Sequence, residues 1–406
     1  MNRIVLIGNG FDLAHNLKTR YEDFINWYWD YRVNGFVNNG TNISSDCLST
    51  FESLTQETWF SFLYSLPRFP NKPTGKEVVQ LIRKDPYRYR VSSSPFFENI
   101  CKCIETKGWV DIENEYYHLL TEYALINCFK EEEVKGLNEQ LKYLKNLLAK
   151  YLGFIDEQEV SINESIKRKI YAPIKLDDIS VAGKSIIKEN VESWIEQNDI
   201  VVKDKIRRYG LNEEEFNETI TYFQEKYKAG KVLFTDVPRQ YLLPDAVMLL
   251  NFNYTHTAQL YYNADLGFIN YIHGKIDDPQ SVIFGYGDEL DDDYKRLQKL
   301  NDNECLCNVK TIKYQESDNY RRLLSFAESA PYQVCIMGHS CGNSDRTLLN
   351  TLFEHKNCLS IKPYYYIKAD GTDNYLELIQ NISRNFTDMK LMRDRVVNKT
   401  YCEPLI

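Results

Sequence analysis

Hydrophobic positions along this chain follow two different periods. Arg3 to Ile7 holds an unbroken β-branched and aliphatic run, Ile4-Val5-Leu6-Ile7, that stops at Gly8, and a run bounded in this way predicts a short buried strand. From Leu13 to Tyr31 the spacing becomes three and four. Leu13, Leu17, Tyr21, Phe24, Ile25 and Tyr28 then share one face, so strand, glycine turn and helix are expected in succession. Residues 35–240 read as mainly helical, most clearly over Phe51–Leu66, Pro95–Lys107, Trp109–Cys128 and Glu132–Leu152. Within the last of these, Leu137, Leu141, Leu144, Leu147, Leu148 and Tyr151 form one stripe opposite Lys and Glu, the pattern of a scaffold helix packed by one face. The polar stretch Glu157–Arg168 reads as a flexible connection and Asn212–Lys228 as another amphipathic helix.

Beyond Gln240 short β-rich runs return: Val247–Phe252, Phe268–Ile272, Val282–Phe284, Tyr332–Met337 and Tyr364–Lys368, with a helix over Asp345–Glu354. Strands that alternate with helices predict an α/β fold built on a mostly parallel sheet covered on both faces. The expected organisation is a Rossmann-like nucleotide-binding domain made of residues 1–34 and 241–406, interrupted by a large helical insertion, 35–240, acting as lid, sensor or assembly module.

Composition narrows the class of partner. At 406 residues and 43% hydrophobic the chain can bury a sizeable core, and its formal net charge of −9 argues against a surface that grips a nucleic-acid backbone. The ten cysteines include the Cys-x-Cys pairs 101/103 and 305/307 but no Cys-x-x-Cys, so a zinc ribbon is not expected and no metal is assigned. The opening apolar run is only strand length and no later run reaches membrane-spanning length, which together point to a cytoplasmic protein with free thiols and no membrane partner.

Four short motifs carry candidate chemistry. Gly8-Asn9-Gly10-Phe11-Asp12 lies between the first strand and helix, where glycines allow backbone N–H groups to approach a diphosphate, although Leu13 stands where a third glycine would complete the dinucleotide pattern. Asn251-Phe252-Asn253-Tyr254-Thr255-His256 follows a hydrophobic strand, at the edge where parallel sheets bind ligands; Asn251 or Asn253 reads equally as a plain cap. His273 closes the next strand beside Gly274. Gly338-His339-Ser340-Cys341-Gly342 matches the nucleophile elbow of serine hydrolases, but only His355 follows Ser340, at the far end of the next helix, so a triad is hard to complete. Asp12, Asp111, Glu113 and Asp345 read equally as functional carboxylates or helix caps.

Taken together, these motifs resemble the AbiH family of bacteriophage abortive infection proteins and, more distantly, sirtuin-like proteins. The resemblance is carried by Gly8-Asn9-Gly10-Phe11-Asp12-Leu13 with Tyr21-Glu22-Asp23-Phe24, Trp109-Val110-Asp111-Ile112-Glu113, Asn251-Phe252-Asn253-Tyr254-Thr255, Ile272-His273-Gly274, Phe284-Gly285-Tyr286-Gly287 and Gly338-His339-Ser340 with Ser344-Asp345. The sirtuin likeness implies NAD as substrate or ligand, with Asn253 beside the nicotinamide ribose and His273 as base. It implies a cofactor-binding set of Gly8, Asn9, Gly10, Phe11, Asp12, Gly338, Ser340 and Asp345, in which the first glycines meet the diphosphate and residues 338 and 340 the adenosine half. Sirtuin deacylases carry a zinc module of Cys-x-x-Cys pairs that is missing here, so NAD hydrolysis ranks above protein deacylation. The expectation is a phage-defence effector that cleaves NAD or a related nucleotide, with a phage-derived trigger and self-association as partner expectations. Its rivals are a nucleotide-binding regulator without catalysis and a serine hydrolase using Ser340.

Overall fold

The computed structural model describes residues 1–39, 42–54, 73–84, 86–107, 110–126, 129–196, 198–230 and 236–406. Among these the strands are β1 (Asn2–Ile7), β2 (Ile43–Ser45), β3 (Ser49–Ser53), β4 (Tyr89–Ser93), β5 (Val247–Asn251), β6 (Gly267–Tyr271), β7 (Tyr332–Met337) and β8 (Cys358–Tyr364). The chain divides into two compact units, one of residues 1–16, 159–282 and 314–406, the other of 17–158 and 283–313. The fold is α/β. Residues 159–240, part of the insertion in the sequence reading, cluster with the sheet of the first unit.

That sheet has five strands in the order β6-β5-β1-β7-β8, every neighbouring pair parallel. Numbered within the sheet the order is 3-2-1-4-5, so the direction of winding reverses between β1 and β7, where Asn2 to Ile7 run in register with Tyr332 to Met337. Every residue of β1, β5, β7 and β8 is buried, as both-face coverage of a parallel sheet requires. The polar residues in these strands are met by partners. The Arg3 guanidinium donates to the carbonyls of Ile170 and Ala172, both at 2.7 Å, and Lys362 Nζ donates to Asp178 Oδ2 at 2.8 Å. Parallel register brings the carboxyl ends of β5, β1 and β7 to one edge, so that Phe252, Gly8 and Gly338 emerge side by side.

The second unit holds the antiparallel sheet β2-β3-β4 and helices that include Tyr21–Asn39, Pro95–Lys107, Ile112–Leu125 and Glu131–Asp156. The stripe Leu137, Leu141, Leu144, Leu147, Leu148 and Tyr151 is buried, as its period implies. Two of the motif segments meet inside this unit. Glu113 accepts the Gly285 N–H at 2.9 Å and pairs with Lys310 at 2.8 Å, while Tyr286 stacks on Tyr117 with ring centroids 3.7 Å apart. Asp111 is a helix cap, accepting from the Asn114 N–H.

Several expected elements differ. The helix expected from Leu13 to Tyr31 is two helices, Asn9–Leu13 and Tyr21–Asn39, separated by a turn in which Asn16 takes φ +62°, a left-handed conformation that asparagine tolerates. Phe51 to Ser53 are strand, not helix, and the remainder of that expected helix from 55 to 66 lies outside the described residues, as do Trp109 and Cys128. The polar stretch after Glu157 contains the helix Glu164–Tyr171. Its cap is Asn163, accepting from the N–H groups of Ser165 and Ile166, and its anchor is the buried pair Ile166 and Ile170. Val282–Phe284 is not a strand, and the final strand is Cys358–Tyr364 rather than Tyr364–Lys368. Among the described residues no helix is long and apolar enough to cross a membrane.

Candidate functional site

The turns after β1 and β7 pack backbone against backbone. Gly8 N–H donates to the Met337 carbonyl at 3.3 Å, Gly10 N–H to Gly338 at 2.8 Å, and Phe11 N–H to Gly8 at 2.8 Å. A Cβ on Gly8 would stand 2.5 Å from His339 Cα, and one on Gly338, whose φ is +79°, would stand 2.1 Å from the Phe11 nitrogen. The glycines of both motifs are thus explained by close approach of two turns, and the N–H groups of residues 8, 10 and 11 serve protein carbonyls. Asn9 is exposed at the tip, while Asp12 is buried and accepts from the Thr255 hydroxyl at 2.7 Å.

The segment after β5 is tied to the same place. Asn251 folds its own turn, accepting from the Asn253 N–H at 3.1 Å, which is a local capping role. Asn253 Nδ2 donates to the Gly8 carbonyl at 2.9 Å and so bridges the carboxyl ends of β5 and β1. Phe252 between them presents its ring to two histidines, to His339 at 4.1 Å between centroids and to His273 at 5.2 Å and 89°.

His273, two residues past β6, is 4% exposed. Its Nε2 lies 3.1 Å from Asp345 Oδ1 and 3.3 Å from the Tyr314 hydroxyl, and the Tyr314 ring lies nearly parallel to the imidazole at 11°. His339 Nε2 lies 3.5 Å from the other oxygen of Asp345. Asp345 thus stands between two histidines, His273 after β6 and His339 after β7. Among the described residues no group of three His, Cys, Asp or Glu is placed to hold a metal ion, and here both Nε2 atoms face the carboxylate instead of a shared centre.

Ser340 is exposed, and its carbonyl accepts from Asn381. The left-handed non-glycine residue of this loop is Cys341, with φ +54°, not the serine that an elbow would strain. His355 lies 3.1 Å from Glu328 and stacks on Tyr332. Burial and the nearby Asp345 carboxylate push the Cys341 thiol up, which keeps it protonated.

The structure therefore gathers Gly8, Gly10, Phe11, Asp12, Asn253, His273, Gly338 and Asp345 at one edge of one sheet, with Asn9 and Ser340 exposed on the flanking turns. Sequence reasoning did not single out His339, Tyr314, Phe252 or Thr255. His339 was readable as the variable position of an elbow motif and as part of the family motif but was given no role, and Tyr314 lies in a polar stretch without a period. A family model described as bacteriophage abortive infection AbiH matches residues 4–366. No curated protein and no solved structure matches the chain.

Proposed function

The chain belongs to the AbiH family of bacteriophage abortive infection proteins, and from this we propose that it is a defence effector whose Rossmann-like, sirtuin-like sheet binds NAD or a related nucleotide and cleaves the nicotinamide–ribose bond. The observation that carries the reading is the meeting of Asn253 and His273 at the carboxyl edge of the sheet, beside the β1/β7 reversal where open α/β sheets take their ligands. Cleavage breaks the C1′–N bond with its electron pair leaving on nicotinamide, and water adds to the ribose while giving up a proton. Asn253, held by the Gly8 carbonyl, orders the ribose and the water. His273 accepts the proton.

The turn glycines need a different role from the one their motif suggests. Since the N–H groups of Gly8, Gly10 and Phe11 are engaged with Met337, Gly338 and Gly8, the diphosphate is assigned to the outer side of the turn at the exposed Asn9. Gly8 and Gly338 let the two turns pack closely and so hold that edge in place.

Nicotinamide release from NAD by the purified protein, and by extracts of infected cells, tests the reading. A base contributes on the order of 10²–10⁴ in rate, so His273→Ala is expected to lose that much, with Asn253→Ala also impaired. Intact NAD before and after infection overturns NAD cleavage, and binding of NAD without turnover assigns the site to a nucleotide-binding regulator.

A further inference from the structure

We infer that Asp345 is the positioning carboxylate of His273, and that His339 is the neutral donor that tunes it. This rests on His273 being the base of the proposed reaction, and it gives Asp345 a different task from the nucleotide binding expected of it.

The tautomer of the neutral His339 ring follows from its neighbours. The Cys341 backbone N–H, aimed by the left-handed φ of Cys341, donates to His339 Nδ1 at 3.0 Å. A backbone N–H can only donate, so Nδ1 carries a lone pair and the ring's one proton sits on Nε2, facing Asp345 Oδ2. The loop that fixes this tautomer is itself held: Asn385 Nδ2 donates to the Cys341 carbonyl and Asn381 Nδ2 to that of Ser340, both at 2.9 Å.

Asp345 stands at the N-cap position of the helix Arg346–Phe353, where an aspartate ordinarily accepts a helix N–H, yet its side chain makes no capping bond. Its two oxygens face the two histidines. A carboxylate that already faces a neutral donor keeps its negative charge for His273. It favours the His273 tautomer with the proton on Nε2, which leaves Nδ1 as the lone-pair nitrogen, and it stabilises the imidazolium that forms when Nδ1 takes a proton. The edge-on Phe252 and the parallel Tyr314 ring fix the plane in which this happens.

Imidazole ¹H–¹⁵N spectra of the whole protein, recorded across a pH series, test this without requiring any activity. The expected result is that the neutral His339 ring is the Nε2–H tautomer. Asp345→Asn should lower the His273 pKa by about one to three units, the scale of a lost adjacent charge. His339→Phe, which removes the donor from Asp345, should raise it. Opposite shifts from two neighbours are not expected of a merely structural role, and Asp345→Glu should restore part of the wild-type value. A His273 titration unmoved by Asp345→Asn in a variant that melts as the wild type does overturns the inference. In turnover assays Asp345→Asn should lower kcat for nicotinamide release ten- to a thousandfold with KM little changed; a raised KM at constant kcat would instead mark Asp345 as a nucleotide contact. Absence of NAD turnover in the wild type counts against the proposed reaction alone, because the spectra decide the role of Asp345 separately.

Discussion

Glycine 8, glycine 10 and glycine 338 show how one residue type answers two physical demands with the same sequence signature. A Gly-x-Gly turn after a strand suits a diphosphate, and equally suits a second backbone, which is what lies 2.5 to 2.9 Å from the place a Cβ on Gly8 would occupy. Gly338→Ala should therefore destabilise the fold by about 1–3 kcal/mol through overpacking, with strain from its positive φ added. Gly136, inside the helix Glu131–Asp156 with open space around it, supplies the contrast: Gly136→Ala should stabilise by about 0.5–1 kcal/mol. Urea titrations of the two variants check both signs. His15 sets a pH dependence at the same edge. Its Nδ1 lies 2.7 Å from the Phe11 carbonyl and so donates, while Nε2 lies 2.6 Å from the Tyr261 hydroxyl. Burial holds its pKa below the usual 6.5, against the weaker upward effect of the Phe11 bond. The folded state thus prefers the neutral ring. The stability this contributes is complete above pH 6.5 and is lost as the pH falls through the lower folded value, so His15→Gln should flatten the decline in stability below pH 6.5 in thermal melts. Asn253 and His273 were readable as candidates from their strand-end address and Asp345 from its motif, whereas the meeting of Asp345 with both histidines was not, and Tyr314 looked like any surface tyrosine.

Elements were legible where one period held over their length, as in Pro95–Lys107 and the leucine stripe of Glu131–Asp156. They were missed where burial and polarity disagree. Strand β8 contains Ser360, Lys362 and Pro363, a composition that suggests an exposed turn, yet it is buried throughout because Asp178 receives the lysine. Burial pushes the Asp178 carboxyl up even with Lys362 beside it. Removing one partner strands the other: Lys362→Met should cost about 3–5 kcal/mol, and Asp178→Leu combined with Lys362→Met should recover most of it. Chemical denaturation of the single and double variants reads this directly; a double variant no better than the single would show that the pair itself contributes the stability. The helix Glu164–Tyr171 escaped for a related reason, since only Ile166 and Ile170 of its eight residues mark a buried face.

At the scale of the molecule, the order of motifs carried more information than any single one. A parallel sheet sends the residue after each strand to a common edge, so polar residues separated widely in sequence meet there without any local signal of proximity. The unit boundaries were less legible, because residues 159–240 look as helical as the rest of the insertion while clustering with the sheet. If the edge performs the defence reaction, cells carrying the wild-type protein should plate phage less efficiently than cells carrying His273→Ala at equal protein level; equal plating would remove this site from the defence function. The pairing of β1 with β5 and β7 also governs how the protein comes into being. The first strand leaves the ribosome largely apolar, and its second neighbour is not complete until Met337 has been added, a wait of roughly tens of seconds at about 5–20 residues per second. Through that interval the sheet edge that brings Gly8 beside Gly338 is incomplete. A fragment that ends before Met337 would accordingly lack the β7 turn, and with it the Gly338 and Asp345 side of the sheet edge.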